Sequence, residues 1–287
     1  MRIFFTFCVF LFFVLPVAAA DEPDVFGALS GLDNAISSAA EEFSLSDGYY
    51  IGRAVAAHIL EQYPLYTKDS ELINYLNLIC SALAINSRSP YWFNGYHVMI
   101  LDSNIPNAYS TPGGHIFVSR GLIDIAASED MLASVIAHEI AHIQLSHGLA
   151  EIKHERLVTG LNREQEKIAR MTENELAAER YSAFAEPVSN IVNILFSRGY
   201  SQLQEFEADS MALDLLVSTG YHPSCLAETL RLFDKIKADF DSGLSSSHPL
   251  PIQRISDAEK KAASYRAKDT RSARNGRFIR IIKRDLR

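Results

Sequence analysis

"SEDMLASVIAHEIAHIQLSHG", residues 128 to 148, is the stretch on which the reading of this chain turns. Ser128 followed by Glu129 and Asp130 makes a good helix start, with an N-cap hydroxyl and two acids near the positive end of the helix dipole. Gly148 is the expected stop. Between them Val135, Ile136, Ala137, Ile140, Ala141 and Ile143 are apolar on nearly every side, which predicts a buried helix. His138, Glu139 and His142 interrupt it, and buried polar groups need partners. Histidines four residues apart lie about 40° apart around a helix, so both rings can point at one atom. H-E-x-x-H on a helix is the pattern of a metal-dependent hydrolytic site. Its two histidines ligate zinc through neutral nitrogens, and its glutamate faces the water that the metal activates. Taken alone, the motif also reads as two satisfied core histidines beside a surface glutamate.

A catalytic zinc needs a third protein ligand and an open position. The candidate is "SQLQEFEADSMALDLLVSTG", residues 201 to 220, where Ser201 and Gln204 form a capping box and Gly220 closes a helix. Glu205 and Glu207 are both eligible, but they lie about 200° apart and cannot face the same ion. Asp209 selects Glu205: it sits one turn on, placed to hydrogen-bond a ligating histidine. Glu207 is held in reserve. By itself this acidic cluster reads equally as a solvated face near a helix start.

Working outward, residues 46 to 63 and 69 to 86 carry helical patterns, and "YHVMILDS", residues 96 to 103, alternates as a strand does. In "NAYSTPGGHIFVS", residues 107 to 119, Pro112, Gly113 and Gly114 divide two short extended runs, as in a hairpin or a kinked edge strand. Beyond it the chain reads as helical almost to its end. The histidines at 58, 97, 115, 147, 154 and 222 have no mutual spacing that calls for a metal, and His147 is expected to be a helix-end hydrogen bonder.

The opening "MRIFFTFCVFLFFVLPVAAA", residues 1 to 20, has the layout of a secretory signal, with an uncleaved anchor as the rival reading. No later stretch is apolar enough to span a membrane. The formal charge is 27 − 35 = −8, and 26 − 35 = −9 once Arg2 leaves with the signal. An acidic exported product is a poor general nucleic-acid binder. Cys80 and Cys225 are the cysteines left after cleavage, enough for one disulfide but not for a disulfide framework. The expected organisation is a signal at 1–20, a loose lead-in at 21–44, a metallopeptidase domain at 45–262 and a basic tail at 263–287. That tail reads either as a solvated helix end with a terminal strand or as a dock for an acidic partner or anionic lipid.

The blocks "NAYSTPGGHIFVSRGLI", "SEDMLASVIAHEIAHIQLSHG", "SRGYSQLQEFEAD" and "SHPLPIQRI" occur in an order and spacing that resembles the HtpX and CAAX prenyl protease group of zinc metallopeptidases. Within that group the exported BepA-like bacterial members are the nearest in pattern. The resemblance runs from about Asn107 to Arg254, roughly half the chain. It implies an α+β, mostly α fold: a zincin-like core with a small β-sheet bearing an edge strand. It implies one zinc ion per chain on His138, His142 and Glu205, with Glu139 as catalytic base. It also places His248 and Arg254 near the metal as further catalytic residues. His248 would either hold the enzyme latent on the open zinc position or, displaced, assist the oxyanion. The run at Gly113, Gly114, His115, Ile116 and Phe117 resembles the strand to which a peptide substrate adds. The implied function is an exported, periplasmic zinc endopeptidase that cleaves unfolded or extended polypeptides in envelope quality control, with envelope assembly components as candidate partners. The alternative is an envelope chaperone with a structural or latent zinc. BepA-like members carry a C-terminal tetratricopeptide-repeat domain, and no such period follows here. The segment between the ligand helices, 150 to 200, is a candidate lid over the cleft.

Overall fold

The computed structural model describes residues 43–154, 199–236, 248 and 252–282. Helix α1 (Leu45–Gln62) begins with a capping box between Ser44 and Asp47, and α2 (Ser70–Ile85) begins on the Asp69 side chain. Strands β1 (His97–Leu101), β2 (Ala108–Thr111) and β3 (His115–Ser119) follow, then a short α3 (Arg120–Ile125) and the motif helix α4 (Glu129–Gln144). The chain is helical again at 147–154. After residue 199 come α5 (Gln202–Thr219), α6 (Ser224–Ile236), α7 (Ile252–Ser264) and α8 (Arg271–Ile282). The expected mostly helical α+β architecture is therefore what the described residues form. No described helix is long and apolar enough to cross a membrane.

The sheet order is β1-β3-β2, with β1 and β3 parallel and β2 and β3 an antiparallel hairpin. This corrects the substrate-strand expectation for His115, Ile116 and Phe117. Strand β3 is the middle strand, hydrogen-bonded on both sides, and Ile116 and Phe117 are fully buried. The glycines of the turn also serve the chain itself. Gly113 and Gly114 have φ of 96° and 101°. A Cβ at Gly113 would stand 2.6 Å from the Tyr49 Cα, and one at Gly114 would stand 2.1 Å from the Gly95 carbonyl oxygen. Their conformational freedom lets the hairpin close against α1 and the loop before β1. Among the described residues the terminal strand beside the motif helix is β2.

Helix α4 is the axis of the molecule. Every residue from Glu129 to Ile143 is buried, against α2, α5, α6, α8 and β2. Each buried Ile or Val contributes about 1.5–3 kcal/mol. The expected stop at Gly148 is corrected. The helix ends at Gln144, and Ser146 takes a left-handed φ of 57° before the chain resumes helical form at 147. Gly148 lies inside that next helical segment, where a Cβ would stand 3.2 Å from the Pro112 ring. Gly220, by contrast, closes α5 as expected, at φ 89°.

Cys80 and Cys225, for which one disulfide was open, are both buried and free. The basic tail, set apart from the domain at 263, instead joins the core through α8, where Phe278 and Ile281 are buried. The reason lies at the start of α4. Glu129 and Asp130, read as dipole acids, are themselves buried and need cations. Arg277 pairs with Glu129, which also accepts from the hydroxyls of Tyr75 at 2.7 Å and Tyr221 at 3.0 Å. Arg274 holds Asp130 in two bonds of 2.7 and 2.8 Å. The signal region, most of the lead-in and residues 155–198 of the candidate lid lie outside the described residues.

Arg277→Met would leave the Glu129 carboxylate buried without a cation, with the two tyrosines as its remaining donors. Because the guanidinium is half exposed, the expected loss in urea unfolding is about 2 kcal/mol, below the range for a fully buried pair. Adding Glu129→Gln should recover part of that loss. A basic tail that merely rests on the surface would show no change in either variant.

Candidate metal centre

Two helices supply most of the centre. From α4, His138 and His142 point the same way, one turn apart, and their Nε2 atoms lie 3.0 Å from each other. From α5, Glu205 brings Oε1 to 3.5 Å from His142 Nε2 and Oε2 to 3.4 Å from His138 Nε2. His248 completes the group, its Nδ1 2.8 Å from Glu205 Oε1 and 3.4 Å from His138 Nε2. One ligand atom from each of His138, His142, Glu205 and His248 falls within 4.8 Å of all the others, and all four residues are buried.

This donor set fits a divalent transition metal. Four potential ligand atoms converge on one point, and imidazole with carboxylate is a combination that zinc accepts. Glu139, beside the first histidine, is 1 % exposed, and its Oε2 has no hydrogen-bond partner among the described residues. An orphaned buried carboxylate oxygen next to converging imidazoles is costly unless something polar or cationic comes to the site. Glu139 Oε1 faces His248 Nε2 at 3.4 Å.

The surroundings hold a positive charge well. Burial opposes protonation of His138, but hydrogen bonds to Asp209 and Glu205 outweigh it and lift its pKa to about 10. Burial and the neighbouring His138 hold His142 well below the usual histidine range. Burial also opposes ionisation of Glu205, yet His248 and Arg254 keep it well below the usual carboxylate range. Asp209 is lowered likewise, chiefly by Arg254 against its own burial.

Asp209 stands where its one-turn spacing from Glu205 predicted, with Oδ1 3.1 Å from His138 Nδ1. Arg254 lies beside the cluster, as expected, and faces its acids. Its Nε and Nη2 donate to the two Asp209 oxygens at 2.7 and 2.8 Å, and its Nη1 lies 2.5 Å from Glu205 Oε2. The guanidinium is engaged with both acids behind the cluster. Glu207, the reserve ligand, points away from the cluster to His147 Nε2 at 3.2 Å. His147 in turn bonds His142 at 2.8 Å. Tyr200, which the sequence reading did not single out, stacks on the His142 ring with centroids 4.0 Å apart and planes 16° apart. Its position directly before the Ser201 cap of the acidic helix is the one sequence signal that could have drawn attention to it.

Removing Arg254 would leave the buried Glu205 and Asp209 carboxylates without their guanidinium partner. Arg254→Met is expected to cost about 3–5 kcal/mol of folding stability. Arg254→Lys should recover little of it, because a lysine cannot reproduce the paired bonds to Asp209. Equilibrium unfolding checks both, and full rescue by lysine would contradict the geometry.

Residues 73–262 match Peptidase family M48. The chain is similar to a putative beta-barrel assembly-enhancing protease of Vibrio cholerae, 31% identical over 209 residues that cover 68% of this chain and 40% of that protein. It is similar to the beta-barrel assembly-enhancing protease of Escherichia coli K12, 24% identical over 259 residues, 87% of this chain and 49% of that protein. It also resembles the metalloprotease LoiP of Escherichia coli K12, 25% identical over 229 residues, 78% of this chain and 85% of that protein. The chain thus spans under half the length of the first two. With the family match covering well over half of the sequence, including His138, His142, Glu205 and His248, the chain belongs to peptidase family M48.

Proposed function

We propose that the chain is a zinc-dependent endopeptidase that hydrolyses peptide bonds of extended or misfolded polypeptides in the bacterial cell envelope. The observation that carries this is the convergence of His138, His142 and Glu205 beside a buried Glu139 whose Oε2 lacks a partner among the described residues. A purely structural metal needs no such carboxylate.

His138 and His142, through Nε2, and Glu205, through its carboxylate, would hold the zinc. When bound, zinc supplies Lewis acidity, polarising a peptide carbonyl and acidifying a water. Glu139 Oε2 takes the proton of the attacking water and passes it to the leaving amine. Asp209 and Arg254 hold His138 and Glu205 in place through the bonds already described. An extended substrate would add to the terminal strand β2 rather than to β3. Ala108 of β2 lines the same cavity as His138 and Glu139, so a chain laid there passes the orphaned carboxylate.

The signal-like residues 1–20 support export to the periplasm, and the names of the relatives, beta-barrel assembly-enhancing proteases, support a role in β-barrel assembly there. A net charge of −8 argues against nucleic acid as a partner. His248, within 2.8 Å of Glu205, supports a resting state in which it occupies the fourth position. The same observation favours a second reading, a binding protein whose zinc is closed by four protein ligands.

Casein turnover and zinc content of the full chain separate the two. Glu139→Gln is expected to lower turnover roughly 10²–10⁴-fold with zinc retained. His248→Ala is expected to raise turnover above that of the parent. Zinc bound in every form with no turnover in any would favour the binding protein.

A further inference from the structure

Asp209 meets His138 at Nδ1, whereas the carboxylate near His142, Glu205, lies on its Nε2 side. His142 Nδ1 instead meets His147 Nδ1 at 2.8 Å, and His147 Nε2 meets Glu207 Oε2 at 3.2 Å. The His147 side chain is 5% exposed and that of Glu207 is 50% exposed, so the line runs from the buried centre to the surface.

We propose that His147 and Glu207 act together as the positioning pair for His142, fixing which of its nitrogens is free to bind the metal. This rests on the reading of His142 as a metal ligand. A nitrogen-to-nitrogen hydrogen bond needs one donor and one acceptor. If His142 Nδ1 carries the hydrogen, Nε2 keeps its lone pair toward the cluster, where it lies 3.0 Å from His138 Nε2. His147 Nδ1 then accepts, and its own hydrogen sits on Nε2, aimed at the Glu207 carboxylate. In the opposite arrangement of neutral rings, His147 Nε2 would set a lone pair against a carboxylate oxygen. Glu207 therefore selects the tautomer two residues away, and no group has to ionise. Stacking on Tyr200 fixes the plane of the His142 ring, and the bond to His147 fixes its direction within that plane.

The backbone is built for this placement. On a continuous helix a residue five positions on lies about 140° around from His142, too far to meet its ring. The helix instead stops at Gln144 and turns through Ser146. Among the described residues Ser146 is the sole non-glycine residue with a positive φ, 57°. A non-glycine residue in that region costs roughly 1–2 kcal/mol, and such strain persists where the surroundings require it. Here it returns His147 to His142. The acids of α5 then divide by position: Glu205 faces the cluster, Asp209 faces His138 and Glu207 faces His147.

The test is the zinc dissociation constant of the full chain, measured by competition with a chromophoric chelator. His147→Phe keeps a ring and removes the acceptor. His147→Asn keeps an acceptor oxygen near the position of Nδ1. Weakening of about 10–100-fold is expected for His147→Phe, with most of it restored in His147→Asn and a smaller loss in Glu207→Ala. The unfolding midpoint of the chelator-stripped protein should be the same in all of them. Parent-like zinc affinity in His147→Phe overturns the proposal. Equal weakening in His147→Phe and His147→Asn together with a lower stripped-protein midpoint also overturns it, because that marks a structural role. A parent chain that binds no zinc removes the metallopeptidase reading and this inference with it, whereas a binding parent and an unaffected His147→Phe removes this inference alone.

Discussion

A helix buried on all sides that carries two histidines and three carboxylates sets the conditions for everything around it. Each polar group of α4 has to be answered from another element. Arg274 and Arg277 of α8 answer Asp130 and Glu129 at its start. Glu205 and Asp209 of α5 answer His138, and Arg254 of α7 answers those two acids. The packing order of the helical layer follows from this chain of partners as much as from apolar contact.

The same partners make the centre a pre-formed site. Arg254 neutralises part of the negative charge of Glu205 and Asp209, so two acids can be buried side by side. The remaining negative charge still raises His138 to a pKa of about 10, against the effect of its burial. A pocket that favours a proton on a buried imidazole also favours a divalent cation there, since both stabilise the same excess of carboxylate. Glu139 stands apart, with an oxygen left without a partner among the described residues. That contrast separates residues suited to hold a metal from the one suited to move a proton.

Much of this was legible in the sequence because its signals are local. The Ser128 and Ser201 caps, the four-residue spacing of His138 and His142, and the four-residue step from Glu205 to Asp209 each depend on helix geometry alone. What was not legible depends on breaks and on distant partners. The stop at Gln144 hid the contact of His147 with His142, because the reading ran the helix on to Gly148. A glycine-rich turn between two extended runs cannot reveal that the parallel partner β1 makes β3 the central strand. Arg274 and Arg277 read as a solvated basic tail because the acids they neutralise lie 144 and 148 residues earlier.

The central claim is that α4 and α5 hold one zinc ion between them. Anomalous diffraction at the zinc absorption edge, on crystals of the full chain grown with zinc, tests it most directly. The account predicts a single strong peak about 2.0–2.2 Å from the Nε2 atoms of His138 and His142 and from a Glu205 oxygen. Zinc found elsewhere on the chain, with those two histidines bound only to each other and to protein acids, would contradict it.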